Sequence, residues 1–189
     1  DGFSIYPGKF YSTPLGKVAI EQNFVEKIVA ECSAVEKNIA GHKEEHSLEV
    51  QLPFLQYLLD EFKIVPIIAG NASIKQVEEL AKCLAELGQE AEFCVVASSD
   101  LSHFHSYDRA CNKDLKLIEE LKKFDIAKLI QGHKDRSLEA CGMIPISVLL
   151  EYGRVAGDPK FKALDYRNSG DTAGGKNRVV GYLSAAIYE

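Results

Sequence analysis

Apolar residues recur at steps of three and four along five stretches of the chain, and this spacing predicts five helices. Pro53 either kinks the second helix or begins its latter part, and Pro145 lies near the first turn of the fifth. Ser73 is the predicted N-cap of the third helix, and Gly88 is its predicted stop. The predicted helices span residues 21–31, 48–62, 73–88, 106–125 and 144–157.

Other stretches have the composition of strands. The run KIVPIIAG, residues 63–70, predicts a short buried strand. AEFCVVASSD, residues 91–100, is apolar on both alternating faces, as in a central strand that is covered on both sides. Two final strands, residues 161–171 and 178–188, flank a glycine-rich loop, whereas the first sixteen residues predict a loop. This order predicts an α/β fold: a single domain, residues 1–189, with a mixed central sheet flanked by helices.

The charge balance argues against nucleic acid and anionic membranes as partners. The chain has 28 acidic and 22 basic residues, a net charge of −6, and no extended run of lysines or arginines. It has no apolar stretch near the ~18 residues of a membrane span and no signal-peptide pattern, so we expect a cytoplasmic protein. The five cysteines are dispersed without a CxxC pair, which indicates neither a disulfide framework nor a zinc ribbon. Because the chain begins at Asp1 in a loop-like stretch, we expect further sequence upstream.

The stretch SSDLSHFHSYD, residues 98–108, is a candidate functional loop. It follows the predicted central strand, and ligands of α/β sheets collect beyond the carboxyl ends of the strands. Asp100 lies three residues before His103 and can accept its ring N–H, which suits a general base or a metal ligand. Alternatively, Asp100 and Ser102 cap the following helix while His103 only packs, and the stretch alone favours neither interpretation. We expect His105 to be exposed.

Two other stretches carry metal-binding types of side chain. Glu45, His46 and Glu49 fall within one helical turn, a spacing that can build a metal site, although acidic residues there also complement a helix dipole. Cys141 comes just before Gly142 and the fifth predicted helix. A thiol at a helix N-terminus is a better ligand or nucleophile than a buried one. The stretch YRNSGDTAGGKNR matches neither a Walker loop nor a dinucleotide fingerprint, which favours a turn.

Five motifs, in order along the chain, carry a family resemblance. They are YSTPLGKVAI, EHSLEVQLPFLQ, SSDLSHF, CGMIPISVLL, and YRNSGD with RVVGYLSAAI. Together they resemble the Memo family, whose prokaryotic members are called AmmeMemoRadiSam system protein B, and the match covers essentially the whole chain. The resemblance implies a fold related to class III extradiol dioxygenases, which are non-haem iron enzymes. It also implies iron or copper binding with redox chemistry, and, for the animal member, phosphopeptide binding in cell-motility signalling.

The resemblance also assigns roles to residues. Cys141 matches the family's metal-binding cysteine, and Asp100 and His103 match the motif pair beside the metal. His46 belongs to another motif in the same cleft. The implied metal ligands are therefore Cys141 and His103, and the implied catalytic residues are His103, Asp100 and His46. Family members carry two further histidine motifs in an N-terminal segment that this sequence lacks, so iron or copper would need other ligands, and an oligomer or a partner chain could supply the missing elements.

Three hypotheses on function remain open, and the substrate and the reaction stay undefined. The first is a redox or oxygenase-like protein in which Cys141 ligates iron or copper, His103 acts as acid or base, and Asp100 orients His103. The second is a non-enzymatic module that binds a small molecule, a peptide or a partner in the same cleft. Its contacts with anionic groups would come from Arg109, Arg167 or Arg178. The third is a thiol hydrolase with Cys141 as nucleophile, His103 as base and Asp100 as its orienter.

Overall fold

The computed structural model describes residues 2–43, 45–172 and 174–189. The chain divides into two compact units, Asp1–Glu92 and Phe93–Glu189. The α/β class is confirmed, because each unit combines helices with sheets, and parallel and antiparallel pairings both occur. A single domain over residues 1–189 and a relation to extradiol dioxygenases stay predictions. None of the helices in these ranges is long and apolar enough to cross a membrane.

The described strands of the first unit form two three-stranded sheets. These strands are β1 (Phe3–Ile5), β2 (Phe10–Thr13), β3 (Gly16–Ile20), β4 (Val35–Lys37), β5 (Lys63–Ile64) and β6 (Ile67–Ala69). In one sheet β1 lies between β4, which is parallel to it, and β6, which is antiparallel. In the other sheet β3 lies between β2, its hairpin partner, and the parallel strand β5.

Two predictions for the first unit are wrong, one of a loop and one of a strand. The first sixteen residues are not a loop, since β1, β2 and the start of β3 lie there. These strands are short; β1 and β3 pair with β4, β5 and β6 far along the chain, and β2 has only its hairpin partner β3, so no local period marks them. The predicted strand over residues 63–70 is two strands in different sheets, interrupted before β6 by Pro66, which cannot donate a ladder hydrogen bond.

The described helices of the first unit are α1 (Gln22–Glu31), the 3₁₀ turn Ala40–His42, α2 (Leu52–Leu58) and α3 (Ile74–Gly88). The predictions of α1 and α3 are confirmed. Ser73 caps α3 as predicted, because its hydroxyl accepts the Gln76 N–H and the Gln76 side chain returns to the Ser73 N–H.

Helix α2 is shorter than the helix predicted over residues 48–62. It begins at Leu52, and Pro53 lies in its first turn, so the proline starts the helix rather than kinking it. Phe54, Tyr57 and Leu58 are 71%, 87% and 73% exposed. These three residues lie off the predicted face: Leu52 is buried and Leu48 and Leu55 are half-buried, so the apolar spacing matches a covered face up to Leu55. Leu59 is exposed, and packing does not extend the helix beyond Leu58.

The described elements of the second unit are β7 (His103–His105), α4 (Tyr107–Leu121), α5 (Ile126–Lys134), α6 (Met143–Ala156), β8 (Lys160–Asn168), α7 (Ser169–Thr172) and β9 (Val179–Tyr188). Its strands form an antiparallel sheet in which β9 lies between β7 and β8. Helix α4 packs against β8 and β9, and α5 packs against α6. The predicted helices near residues 106–125 and 144–157 and the two final strands are confirmed.

The prediction of a central strand over residues 91–100 is wrong for this structure. Within the second unit the neighbours of β9 are β7 and β8, and residues 91–100 pair with none of the described strands. Cys94 and Val96 are exposed, and burial alternates along residues 91–96. This is the pattern of an extended segment with one exposed face, not of a strand covered on both sides. The pairing of a strand depends on its neighbours, which an apolar run alone does not specify.

Candidate metal centre

Three side chains that can ligate a metal converge in the second unit. Asp100 lies in the loop before β7, His103 is the first residue of β7, and Cys141 lies two residues before α6. One ligand atom from each lies within 4.8 Å of those from the other two. Among the described residues no other group of three or more such side chains is this close. Since Asp100 and Cys141 are 41 residues apart, their proximity is a product of the fold.

Backbone hydrogen bonds hold this loop against β9. The Leu101 N–H donates to the Gly181 carbonyl at 2.9 Å, and the Gly181 N–H donates to the Ser102 carbonyl at 3.0 Å. The Cys141 N–H donates to the Asp100 carbonyl at 3.2 Å. The loop that carries Asp100 is therefore fixed on one side to the sheet and on the other to the segment that carries Cys141.

Short contacts orient the Cys141 sulfur. The Asp100 N–H donates to Sγ at 3.2 Å, and the Ser99 hydroxyl lies 3.6 Å from it. The same hydroxyl donates to the Asp100 carbonyl at 2.7 Å and accepts the Gly142 N–H at 2.8 Å. A Cβ on Gly142 would lie only 2.7 Å from the Ser99 side chain, so glycine permits this close approach. Ser99 thus ties the entry to α6 to the metal-ligand loop, a role that the sequence did not reveal.

Asp100 and His103 are in direct contact. The His103 Nε2 lies 3.3 Å from the Asp100 Oδ2, which is the pairing that a spacing of three residues allows. Both side chains are partly open to solvent: His103 is 38% exposed and Asp100 is 47% exposed. Neither Asp100 nor Ser102 caps α4, whose N-cap is Ser106. The contact is consistent with a carboxylate that orients an imidazole, while the catalytic roles of both residues stay predictions.

A buried carboxylate supports the loop from behind. Asp114 of α4 is fully buried; its Oδ1 accepts the Ser102 N–H at 2.9 Å and its Oδ2 accepts the Tyr166 O–H at 2.8 Å. Burial and this hydrogen bond raise the pKa of the Tyr166 phenol, which therefore stays a donor at neutral pH. A Cβ on Gly181 would lie 1.9 Å from the Asp114 Oδ2, so only glycine fits on the strand opposite the carboxylate.

Phe104, between the two histidines of β7, has a strained backbone. Its φ is 61°, a left-handed conformation that costs a residue with a side chain about 1–2 kcal/mol. The register of β7 against β9 shifts between His103 and His105, so Phe104 is the extra residue of a bulge. Its ring is 62% exposed and lies under the Arg178 guanidinium, 4.9 Å from the ring centroid. Neither the strain nor this contact has a signal in the hydrophobic pattern.

His105 is not exposed as expected, and it is not part of the metal-ligand group. Its side chain is only 20% exposed, and its Nε2 lies 2.7 Å from the Glu139 Oε2. The other Glu139 oxygen accepts from the Lys113 Nζ at 2.7 Å. Burial raises the pKa of Glu139, but the hydrogen bonds from Lys113 and His105 outweigh it and leave that pKa below its ordinary value. This trio ties the chain before α6 to α4 and β7.

The three arginines proposed as anion contacts have different surroundings. Arg167 is paired with Asp165, whose Oδ2 lies 2.9 Å from its Nε. Arg109 lines an open groove along α4 together with Lys113 and other polar residues. Arg178 alone lies against an aromatic ring that adjoins the His103 ring. Of the three, Arg178 is the one whose position relates to the metal-ligand group.

His46 and its acidic neighbours lie in the first unit and do not form the predicted helical metal site. Residues 47–51 are turns, and α2 begins only at Leu52. The Glu45 Oε1 accepts the N–H groups of His46 and Ser47, at 2.9 Å and 2.7 Å, so this carboxylate is folded back onto its own backbone. Glu44 lies outside the described residues. The placement of His46 in the same cleft as Cys141, and its catalytic role, stay predictions.

A second histidine of the first unit, His42, is buried. Its Nε2 lies 3.0 Å from the Ser4 carbonyl, and its ring packs edge-on against Tyr6 at 5.2 Å and against Tyr11 at 6.4 Å. Burial lowers the pKa of His42, although the Ser4 carbonyl and Glu45 oppose that shift. No pattern in the sequence indicates that His42, rather than His46, is the buried histidine.

Lowering the pH below about 6.5, the ordinary pKa of histidine, is expected to destabilise the protein through His42. Above that pH the imidazole is neutral in both states; below it the unfolded chain takes up a proton before the folded one does, and stability is lost until the pH passes the folded pKa. Urea unfolding at a series of pH values should show a flatter profile for His42→Gln than for the unchanged protein. The same change at exposed His46 should leave the profile as it was, and equal slopes for all three proteins would contradict this assignment.

Known proteins resemble this chain over most of its length. A family model described as Memo-like protein matches residues 1–186. A MEMO1 family protein of Methanobrevibacter smithii is 34% identical over 183 residues, which cover 96% of this chain and 65% of the relative. A MEMO1 family protein of Pyrobaculum aerophilum is 36% identical over 182 residues, covering 94% and 64%. One of Saccharolobus islandicus is 36% identical over 186 residues, covering 96% and 65%. The chain thus spans slightly less than two thirds of the length of these relatives.

Proposed function

The chain belongs to the Memo-like family, and from this premise we propose that it binds iron or copper through Asp100, His103 and Cys141 for a redox function. The observation that supports the proposal is the convergence of a carboxylate, an imidazole and a thiol from two segments within 4.8 Å. The proposal defines the reaction as oxygenase-like redox chemistry.

The donor set fits a redox-active transition metal. Imidazole and thiolate suit iron, copper and zinc, and a carboxylate adds an oxygen ligand. Two donors on one tetrahedral first-row metal lie about 3.5 Å apart, so the separations of up to 4.8 Å require only small side-chain movements. His103, Asp100 and Cys141 are partly or largely exposed and have the freedom to make them. A metal held there would supply one-electron chemistry at a position that a small ligand can reach.

The residues around the group have distinct tasks in this proposal. Asp100 is one of the three ligands, and in the metal-free protein the contact between its Oδ2 and the His103 Nε2 holds the imidazole ring beside it. The Asp100 N–H and the Ser99 hydroxyl orient the Cys141 sulfur. Asp114, through the Ser102 N–H, fixes the loop from the core side. Metal sites depend on such outer contacts for affinity.

The contacts of the sulfur favour a metal ligand over a hydrolase nucleophile. A thiol hydrolase requires a hydrogen bond between the nucleophile and the imidazole base. In this structure the polar contacts of the Cys141 Sγ come from the Asp100 N–H and the Ser99 hydroxyl, and the His103 Nε2 contacts Asp100. The hydrolase hypothesis would therefore need the His103 ring to turn toward the sulfur.

Loading the purified protein anaerobically with Fe(II) or Cu(I) is expected to yield about one metal ion per chain, lost in Cys141→Ala because a three-ligand site cannot retain the ion with two. Elemental analysis after desalting measures the stoichiometry, and competition with a chelator should show an affinity at least tenfold lower for the variant. Cys94→Ala is the matched control, since Cys94 is the other exposed cysteine of this unit. Equal metal content in both variants, or none in the unchanged protein, would refute the proposal.

A further inference from the structure

We propose that Phe104 and Arg178 form a binding site for a small aromatic carboxylate beside Asp100, His103 and Cys141. The claim that this ligand is what the metal centre acts on rests on the proposed function. The claim that the ligand binds there rests only on the contacts of Phe104 and Arg178. Phe104 adjoins the metal-ligand group, and Arg178 adjoins Phe104. The Phe104 and His103 ring centroids are 5.6 Å apart, and the Arg178 guanidinium lies 4.9 Å from the Phe104 centroid.

The first support is the strain at Phe104. A phenylalanine with a φ of 61° is energetically unfavourable, and glycine or asparagine would adopt this backbone more readily. Burial does not compensate for the strain, since most of the ring is exposed. Strained residues concentrate at binding and catalytic sites, where the strained conformation places a side chain in a useful position. Here the bulge turns an aromatic ring outward beside the His103 imidazole.

The second support is the state of Arg178. Among the described residues no carboxylate pairs with its guanidinium, whereas Arg167 is paired with Asp165 and Arg154 with Glu151. The Cζ of the Arg178 guanidinium lies over the Phe104 ring, 4.9 Å from its centroid. Stacking of this kind leaves the N–H groups at the edge of the guanidinium available for a ligand in the same plane. The charge is therefore held in place without being neutralised.

The third support is that the segment before β9 is fastened on both sides of Arg178. The Lys176 ammonium lies over the Tyr107 ring, 4.6 Å from its centroid, and the Tyr107 N–H donates to the Lys176 carbonyl at 2.9 Å. Val179, the first residue of β9, is fully buried. Arg178 lies between these two anchors, so its backbone is fixed and only its side chain can adjust to a ligand.

This arrangement defines the chemical class of the ligand. A single guanidinium matches one planar carboxylate, which it binds through two parallel hydrogen bonds. The exposed part of the Phe104 ring offers a stacking surface for a flat apolar group. Because the Phe104 ring adjoins that of His103, the end of the ligand opposite its carboxylate would point toward the three ligand side chains. The smallest probe with both features is benzoate.

Binding of benzoate to the metal-free protein tests the proposal. A ligand of this size should bind with a Kd on the order of millimolar, measured from NMR shift changes of the backbone amides of Phe104 and Arg178. We expect Arg178→Gln to raise that Kd about tenfold, and benzamide, which lacks the charge, to bind about as weakly to the unchanged protein. Arg167→Gln is the matched control and should bind benzoate normally, because that arginine already has a carboxylate partner.

The ring is tested by Phe104→Gly, which relieves the unfavourable φ while removing the stacking surface. Its melting temperature should equal or exceed that of the unchanged protein, and its benzoate Kd should rise severalfold.

Equal Kd values for Arg178→Gln and Arg167→Gln, equal binding of benzoate and benzamide, or no binding of benzoate at tens of millimolar would each overturn the proposal. Metal content of Arg178→Gln should stay normal. Cys141→Ala should lose metal and still bind benzoate. Since benzoate binding is measured without metal, failure of the metal site and failure of the benzoate site give different results.

Discussion

Gly181→Ala is expected to lower the free energy of unfolding by about 3 kcal/mol, at the upper end of the effects of overpacking. The new Cβ would lie 1.9 Å from the Asp114 Oδ2, a distance that no rotation of the methyl group can relieve. Asp114 cannot withdraw easily, because it is fully buried and bound to the Ser102 N–H and the Tyr166 O–H. Either the carboxylate or β9 must shift, and both movements break hydrogen bonds that hold the metal-ligand loop.

Urea unfolding monitored by circular dichroism measures this change. Gly175→Ala is the control, since nothing lies within 4 Å of a Cβ there and its φ is not in the left-handed range; its effect should be below about 0.5 kcal/mol. Because the Gly181 N–H and carbonyl bond to Ser102 and Leu101, Gly181→Ala should also weaken metal binding. A stability equal to that of Gly175→Ala would mean that the approach of Asp114 to β9 does not exist in solution.

Asp114→Ala is expected to destabilise the protein by a similar amount, about 3 kcal/mol, for the opposite reason. Truncation leaves two buried donors, the Ser102 N–H and the Tyr166 O–H, without acceptors. Each buried donor without a partner costs about 1–3 kcal/mol. Asp114→Asn should cost less, because its amide oxygen can still accept from one of the two. Asp108→Ala, on an exposed position of the same helix, is the control and should cost no more than about 1 kcal/mol.

The two changes are expected to be coupled when combined. Removal of the carboxylate makes room for the methyl group at position 181, so the double variant should be more stable than the sum of the two single effects implies, by about 1–3 kcal/mol. Additive effects would show that Gly181 and Asp114 act independently, and would contradict the close approach seen here. Metal affinity measured for the two single variants and the double variant would show how far the contact between Gly181 and Asp114 positions Asp100 and His103.

Local pattern was sufficient for much of the fold. The predictions of α1, α3, α4 and α6 succeeded because each buries one continuous face, which appears in the sequence as a spacing of three and four. The final strands, β8 and β9, succeeded because they are long and separated by a glycine-rich connection. Helix α5 was missed, although Asp125 caps it through the Lys128 N–H at 3.0 Å. The capping residue was a usable signal.

For the site, the sequence identified the residue types and the family but not their arrangement. The spacing of Asp100 and His103 within one loop is local, so their contact was open to prediction. The approach of Cys141 to them depends on hydrogen bonds between segments about forty residues apart. The left-handed backbone of Phe104 and the position of Arg178 over its ring likewise depend on the register of β7 against β9.

The sequence by itself determined the elements whose buried residues recur at a regular local spacing. It also determined which chemical groups the side chains of its motifs carry. Only the tertiary structure decided which strands pair, that residues 91–100 do not join a sheet, and that Phe54, Tyr57 and Leu58 of α2 are exposed. The physical reason is that a helix satisfies its backbone hydrogen bonds within its own segment. A strand, a bulge and a three-residue metal site obtain their partners from distant parts of the chain.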